Sequence, residues 1–150
     1  MTQIRPGLHL TFDNEPSPEL RRAIGRKIDD FNAGTVPYRQ ERFALVLRDA
    51  ADRLVGGVCC ILYWDWLFVD DLWIDDVLRG QGLGRELMAR AEAHAAERGC
   101  HSVWLDTFQA RGFYEKLGYE VFGGLDDYPA GQSRWFLKKR LPVINATSAG

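Results

Sequence analysis

Residues 66–85 read WLFVDDLWIDDVLRGQGLGR, and the architecture depends on this stretch more than on any other. It begins with an apolar run, Trp66 to Ile74, that is rich in the aromatic and branched residues typical of a strand. A turn containing three glycines follows, and residues 83–98 then carry apolar side chains at helical spacing. The stretch therefore predicts a strand, a glycine-rich turn and a helix in direct succession.

Further elements are predicted on both sides of that unit. Upstream, the patterns indicate a strand over 7–12, an amphipathic helix over 18–31 that starts at Ser17-Pro18, and a hairpin of strands 43–48 and 54–64. Downstream, they indicate a strand over 102–106, a short helix over 111–117, and final strands over 119–123 and 135–139. Hairpins followed by a strand–helix–strand unit predict an α/β (α+β) fold, a mixed central sheet flanked by helices. We expect one domain over residues 1–140 and a flexible tail over 141–150.

Composition excludes several classes of protein. The 150 residues are 46% hydrophobic and 27% charged, which is typical of a globular domain. A net charge of −2 offers no basic field, so we expect no nucleic-acid partner. No apolar run approaches the roughly 20 residues that span a bilayer, and the first residues lack the apolar core of a secretion signal. We predict a cytoplasmic protein without a membrane partner, and because its three cysteines lack metal-ligand spacing, without a metal.

The glycine turn carries a chemical signal of its own. It reads Arg79-Gly80-Gln81-Gly82-Leu83-Gly84-Arg85, and a helix starts within it. Unpaired backbone N–H groups at a helix start favour an anion, and the two arginines add mobile positive charge, so the turn suits a diphosphate. The spacing fits neither a P-loop, which needs Gly-Lys-Ser/Thr, nor the G-x-G-x-x-G of dinucleotide folds. A purely structural strand-to-helix turn is the alternative.

The turn resembles the coenzyme signature R/Q-x-x-G-x-G/A of the GCN5-related N-acetyltransferase (GNAT) superfamily, through Arg79, Gly82 and Gly84. A second segment, Phe113-Tyr114-Glu115-Lys116-Leu117-Gly118-Tyr119, resembles a later helix-and-strand signature of the same superfamily. The resemblance covers residues 40–140. It implies an acyltransferase that takes acetyl-CoA as co-substrate and needs no metal.

The resemblance also implies roles for individual residues. The sheet would splay at the coenzyme, the backbone of Leu72, Trp73 and Ile74 would pair with the pantetheine arm, and the turn would bind the diphosphate through Arg79, Gly80, Gln81, Gly82, Leu83, Gly84 and Arg85. Tyr114 would protonate the departing thiolate, and Asp71 or Asp106 would deprotonate the amine, directly or through water. Asp70 is expected to face away from Asp71 because side chains alternate along a strand. The alternative for each of these residues is a purely structural role, as part of the strand core, as a packed aromatic ring or as a solvated carboxylate.

One departure from the superfamily lies between Asp106 and Tyr114. The segment is shorter than usual, and Thr107 stands where an asparagine is common, so we expect a tight or irregular connection and one coenzyme contact fewer. The shortening leaves open a CoA-binding protein without turnover, and a non-enzymatic interaction domain is a further alternative.

The acceptor is expected to be an amine, attacked directly within a ternary complex. Seven aspartates near strand ends and in the last loop would attract a cationic small molecule or protein lysine: Asp65, Asp70, Asp71, Asp75, Asp76, Asp126 and Asp127. A homodimer is compatible with the resemblance.

Overall fold

The computed structural model describes residues 2–144, and the chain forms two compact units, one ending at Tyr38 and one beginning at Arg39. The first unit holds a hairpin of β1 (Thr2–Arg5) and β2 (Leu8–Leu10), followed by α1 (Pro18–Ala33). Helix α1 begins where the sequence predicts, since the Ser17 hydroxyl accepts the N–H of Leu20 at 3.1 Å. Strand β1 was not predicted, and β2 is shorter than the expected strand over 7–12.

The second unit holds a six-stranded sheet. Its elements are β3 (Gln40–Arg48), β4 (Leu54–Tyr63), β5 (Trp66–Ile74), a 3-10 helix (Asp76–Leu78), α2 (Leu83–Glu97), β6 (Ser102–Thr107), α3 (Arg111–Lys116), β7 (Glu120–Asp126) and β8 (Ser133–Arg140). The strand order is β3-β4-β5-β6-β8-β7, with β5 and β6 parallel and the other neighbours antiparallel. The predicted mixed α/β fold is therefore confirmed.

The core lies between α2 and one face of this sheet. Four central strands contribute side chains with at most 1% exposure: Val58, Leu62, Leu67, Val103, Leu105 and Leu137. Helix α2 turns Met88, Ala91 and Ala95 to them. The small alanines let the helix approach the strands closely, which fixes where its first turn stands at the end of β5.

Strand β5 changes character along its length. Its parallel pairing with β6 covers Trp66 to Phe68, whereas β5 itself continues to Ile74. Strand β5 also contains a β-bulge. Val69 pairs with Cys60 of β4 and Asp71 pairs with the neighbouring Cys59, so Asp70 is an extra residue without a partner on β4. The second half of β5 therefore borders a cleft on the side of β6, which is the splay that the resemblance implies.

Two observations concern the predicted C-terminal tail and the predicted absence of a membrane partner. Leu141, where the tail was expected to begin, is 5% exposed, and its N–H donates to the His101 carbonyl at 2.9 Å. Residues 145–150 of the predicted tail lie outside the described residues, and its flexibility stays a prediction, as does the single domain. Within residues 2–144, no helix has the length and apolar character to cross a membrane.

Candidate active site

A cavity of about 780 Å³ opens where β5 and β6 diverge. Its walls are the second half of β5, the glycine turn with the start of α2, the connection from β6 to α3, and α3 itself. Twelve of the predicted site residues line it: Asp71, Leu72, Trp73, Ile74, Arg79, Gly80, Gly82, Leu83, Gly84, Arg85, Asp106 and Tyr114. Gln81 does not line the cavity.

The glycine turn presents backbone donors to this cavity. Gly80 and Gly82 have φ values of +78° and +80°, a region that side chains disfavour. Gly82 is the N-cap of α2 and provides no side-chain cap, so the first N–H groups of the helix have no partner within it. A Cβ at Gly84 would lie 3.3 Å from the Phe113 ring, so a side chain there would need the ring to shift slightly. Unpaired donors at the positive end of a helix fit the paired phosphates of a coenzyme.

Arg79 makes three contacts within the segment that joins β5 to α2. Its Nε donates to the Ile74 carbonyl at 2.9 Å, its Nη1 pairs with Asp76 at 2.9 Å, and its guanidinium lies over the Trp73 ring at 4.6 Å. These contacts tie the end of β5 to the turn. Arg79 therefore helps to shape the turn, and its role at the coenzyme stays a prediction.

The bulge at Asp70 alters the placement of two carboxylates. Asp70 and Asp71 are both exposed, and both line the cavity. The prediction that they face opposite ways assumed strict alternation, which the bulge interrupts. The site therefore has two neighbouring carboxylates on β5 where the sequence analysis expected one.

Asp106 reaches the same cavity from β6 but is held by a partner. Its Oδ1 accepts from Arg134 Nη1 at 2.7 Å, and the two side chains are 26% and 23% exposed. The Arg134 guanidinium also lies over the Tyr128 ring at 4.3 Å. Arg134 is a site residue that the sequence does not reveal, because it lies 28 positions from Asp106 and only the pairing of β6 with β8 brings the two together.

The remaining aspartates of the predicted acidic cluster have local partners. Asp75 accepts from the Trp73 indole at 2.8 Å, and the others contact side chains or backbone nearby: Asp65 with Arg39, Asp76 with Arg79, Asp126 with Ser133 and Asp127 with Gly131. Of the seven aspartates, Asp70 and Asp71 line the cavity, and Asp106 is the third carboxylate there. Across residues 2–144, no three His, Cys, Asp or Glu side chains group as metal ligands would.

Tyr114 forms the buried side of the cavity. Its side chain is 7% exposed, and its ring packs edge-on against Phe113 and Tyr119, with centroids 5.0 and 5.7 Å away. Burial, with smaller contributions from the charges of Asp106 and Cys60, raises the pKa of Tyr114 to about 12. The phenol therefore keeps its proton at neutral pH, as a proton donor must.

The connection from β6 to α3 is as tight as predicted. Strand β6 runs on to Thr107, and α3 begins at Arg111. The Thr107 hydroxyl accepts the N–H of Ala110 at 3.1 Å, which closes the turn. Thr107 thus holds the backbone that leads into the helix carrying Tyr114.

Comparison with known proteins gives three kinds of match. Residues 9–119 match the model of the acetyltransferase (GNAT) family. The blasticidin-S acetyltransferase of Streptomyces morookaense is 39% identical over 134 residues, which are 87% of this chain and 94% of that protein. A crystal structure of an acetyltransferase from Bacillus cereus aligns with a TM-score of 0.77 and 31% identity, over 87% of this chain and 98% of that one.

A third relative shares the fold at lower similarity. It is a Bacillus anthracis acetyltransferase crystallised with acetyl coenzyme A, which aligns with a TM-score of 0.59 and 20% identity. The alignment covers 67% of this chain and 62% of that one. At this identity, the likeness concerns the fold alone.

Proposed function

Because the chain belongs to the acetyltransferase (GNAT) family, we propose that it transfers an acetyl group from acetyl-CoA to the amine of a cationic small molecule. One observation carries the proposal. A single cavity is lined by unpaired backbone donors at the start of α2, by the splayed half of β5, by two exposed carboxylates and by a protonated phenol.

The coenzyme would be held mainly by backbone. The N–H groups at the start of α2 would bind its diphosphate, and the strand segment from Leu72 to Ile74 would pair with its pantetheine arm, since β6 has already diverged there. Bound acetyl-CoA supplies a thioester whose acyl carbon accepts the amine lone pair and whose sulfur leaves as a thiolate. An unpaired N–H of β5 would polarise the acyl oxygen.

Two side chains would move protons. Tyr114 would donate its phenolic proton to the departing sulfur, because it lines the cavity and is fully protonated at neutral pH with a pKa of about 12. The raised pKa makes it a weaker acid than an exposed tyrosine, so its role depends on its position beside the sulfur. Asp71 would take the proton from the acceptor ammonium, directly or through water. We prefer Asp71 to Asp106 because Asp106 already accepts a charge-assisted hydrogen bond from Arg134 at 2.7 Å. Asp106 would instead hold Arg134 in place at the acceptor end of the cavity.

The acceptor class follows from charge and from the relatives. Three aspartates and three arginines line the cavity, but Arg79 and Arg85 belong to the glycine turn that would bind the diphosphate, and Arg134 is paired with Asp106. Asp70 and Asp71 are left to attract a cationic acceptor. The relative that is 39% identical carries the name of a small-molecule acceptor, blasticidin-S. The charge supports a basic amine of either kind, and the name of the relative supports a small molecule over a protein substrate.

The test is release of free thiol from acetyl-CoA against a panel of small amines and lysine peptides. We expect turnover with at least one basic small amine and a loss of roughly 100-fold in kcat for Tyr114→Phe, in the range of general acid catalysis. Saturating CoA should also raise the melting temperature. A melting shift without thiol release from any acceptor would indicate a CoA-binding protein that does not turn over. No shift would refute coenzyme binding.

A further inference from the structure

A partly buried ionic contact outside the cavity joins α2, β8 and the turn after α3. The Glu92 carboxylate accepts from the Tyr119 hydroxyl at 2.8 Å and from Lys139 Nζ at 3.0 and 3.1 Å. The Glu92 side chain is 12% exposed and that of Lys139 is 27% exposed, while Tyr119 is 4% exposed. None of these three residues lines the cavity.

Tyr119 connects this contact to Tyr114. The Tyr119 N–H donates to the Tyr114 carbonyl at 3.1 Å, and the two rings meet edge to face, with centroids 5.7 Å apart and an interplanar angle of 70°. Gly118 between them has a φ of +93°, which lets the chain turn back at the end of α3. Tyr119 is therefore fixed at its backbone by α3 and at its hydroxyl by α2, and its ring lies against the ring of Tyr114.

Packing alone does not require this arrangement. A phenylalanine at position 119 would fill the same space without a hydroxyl, and a half-buried Glu–Lys pair is often no more stabilising than apolar residues of similar volume. The hydroxyl adds a restraint on orientation, because its hydrogen bond to Glu92 fixes the tilt of the Tyr119 ring. Helix α2, whose first turn faces the coenzyme end of the cavity, thereby also restrains the residue at its chemical end.

We propose that Glu92 and Tyr119 are positioning residues that hold the Tyr114 hydroxyl in line with the departing sulfur. The proposal rests on the proposed role of Tyr114 as proton donor. A displacement of about 1 Å at a reacting group can lower a rate by roughly 100-fold, so a restraint on the ring affects kcat without changing any coenzyme contact. Lys139 supports it by holding the Glu92 carboxylate through hydrogen bonds of 3.0 and 3.1 Å.

The experiment is a double-mutant cycle on kcat with Tyr119→Phe and Tyr114→Phe, singly and combined. We expect Tyr119→Phe to lower kcat by about tenfold with KM for acetyl-CoA unchanged, and to have no further effect once Tyr114 is phenylalanine. If Tyr119→Phe lowers kcat by the same factor in both backgrounds, or not at all, the positioning role is refuted while the role of Tyr114 stands. If Tyr114→Phe alone leaves kcat intact, the proposed role of Tyr114 fails, and the positioning role with it.

A second pair of variants tests whether a lower kcat reflects a specific effect of Glu92 or a general effect of removing an ion pair from α2. Glu92→Gln keeps an acceptor for the Tyr119 hydroxyl but removes the ion pair, and we expect a smaller loss of kcat than with Tyr119→Phe. Its matched control is Glu86→Gln on the same helix, which removes the exposed pair with Arg90 at 2.7 Å and should leave kcat unchanged. A melting shift with CoA equal to wild type shows that each variant folds. An equal kcat loss in Glu92→Gln and Glu86→Gln would contradict the proposal.

Discussion

The two halves of β5 differ in almost every physical respect. From Trp66 to Phe68 the strand is paired on both sides, and Leu67 is fully buried. From Asp70 to Ile74 it is bulged, paired only with β4, and 55% of Trp73 is exposed. One strand thus serves the core with its first half and the cavity with its second. A site that binds through backbone groups needs a strand that is anchored firmly and then left open.

The largest expected effect is a difference in stability between variants in the two halves of β5. Leu67→Ala removes a fully buried side chain and should lower the free energy of unfolding by about 2–5 kcal/mol. Leu72→Ala, at a half-buried position of the open half, should cost less. Urea denaturation of the two variants measures the difference. Equal losses would mean that the open half belongs to the core as much as the paired half does.

The next largest effect is expected on kcat, from substitution of the aspartates at the cavity. Asp71→Asn in the open half should lower kcat by roughly 100-fold, since the acceptor ammonium would lose its base, with little change in melting temperature. Asp106→Asn should lower it less, because that carboxylate is paired with Arg134. The measurement is kcat across pH for both variants. A larger loss in Asp106→Asn would reverse our assignment of the base, and an equal loss in Asp70→Asn would extend it to both residues of the bulge.

A smaller effect is expected where the open half meets the glycine turn. Gly82→Ala places a Cβ at a φ of +80°, where it meets no atom within 4 Å, so its cost of about 1–2 kcal/mol should be purely conformational. Relaxation of the turn should also weaken CoA binding, measured by calorimetry. The control is Gly112→Ala on α3, where a Cβ meets nothing and φ is not positive, so stability should hold or rise. Unchanged CoA affinity in Gly82→Ala would argue against diphosphate binding by this turn.

The smallest effect concerns the phenol that faces the open half. Burial raises the pKa of Tyr114 from 10.0 to about 12, so its contribution to stability is complete below pH 10 and is lost as pH rises toward 12. Relative to Tyr114→Phe, wild type should lose about 1.4 kcal/mol of unfolding free energy by pH 11. Parallel pH–stability profiles for the two proteins would mean that Tyr114 titrates as an exposed tyrosine.

The local features of the fold were predictable. Strand β5 has the predicted bounds, α2 begins at the predicted residue, and Ser17 caps α1, since hydrophobic spacing, capping residues and glycines act between neighbours in sequence. The splay was expected only through the family resemblance. The hairpin partner β1 was missed, because Thr2–Arg5 lacks a clear alternating pattern.

Contacts between distant residues were not predictable from the sequence. The Asp106–Arg134 pair depends on the register of β6 with β8, and the contact of Glu92 with Tyr119 depends on the chain after α3 returning to α2. The bulge at Asp70 inverted one explicit expectation, because alternation along a strand holds only while the partner strand keeps register.

By itself, the sequence determined the order of the α-helices and strands from α1 onward, the glycine turn at the start of α2, and the tyrosine that follows it on α3. The tertiary structure alone decided which carboxylate is left without a cationic partner and what holds the tyrosine in place. The physical reason is the separation along the chain over which each kind of interaction acts. Backbone propensities act over a few residues, whereas charge pairing and ring packing depend on surfaces that meet only after the sheet has formed.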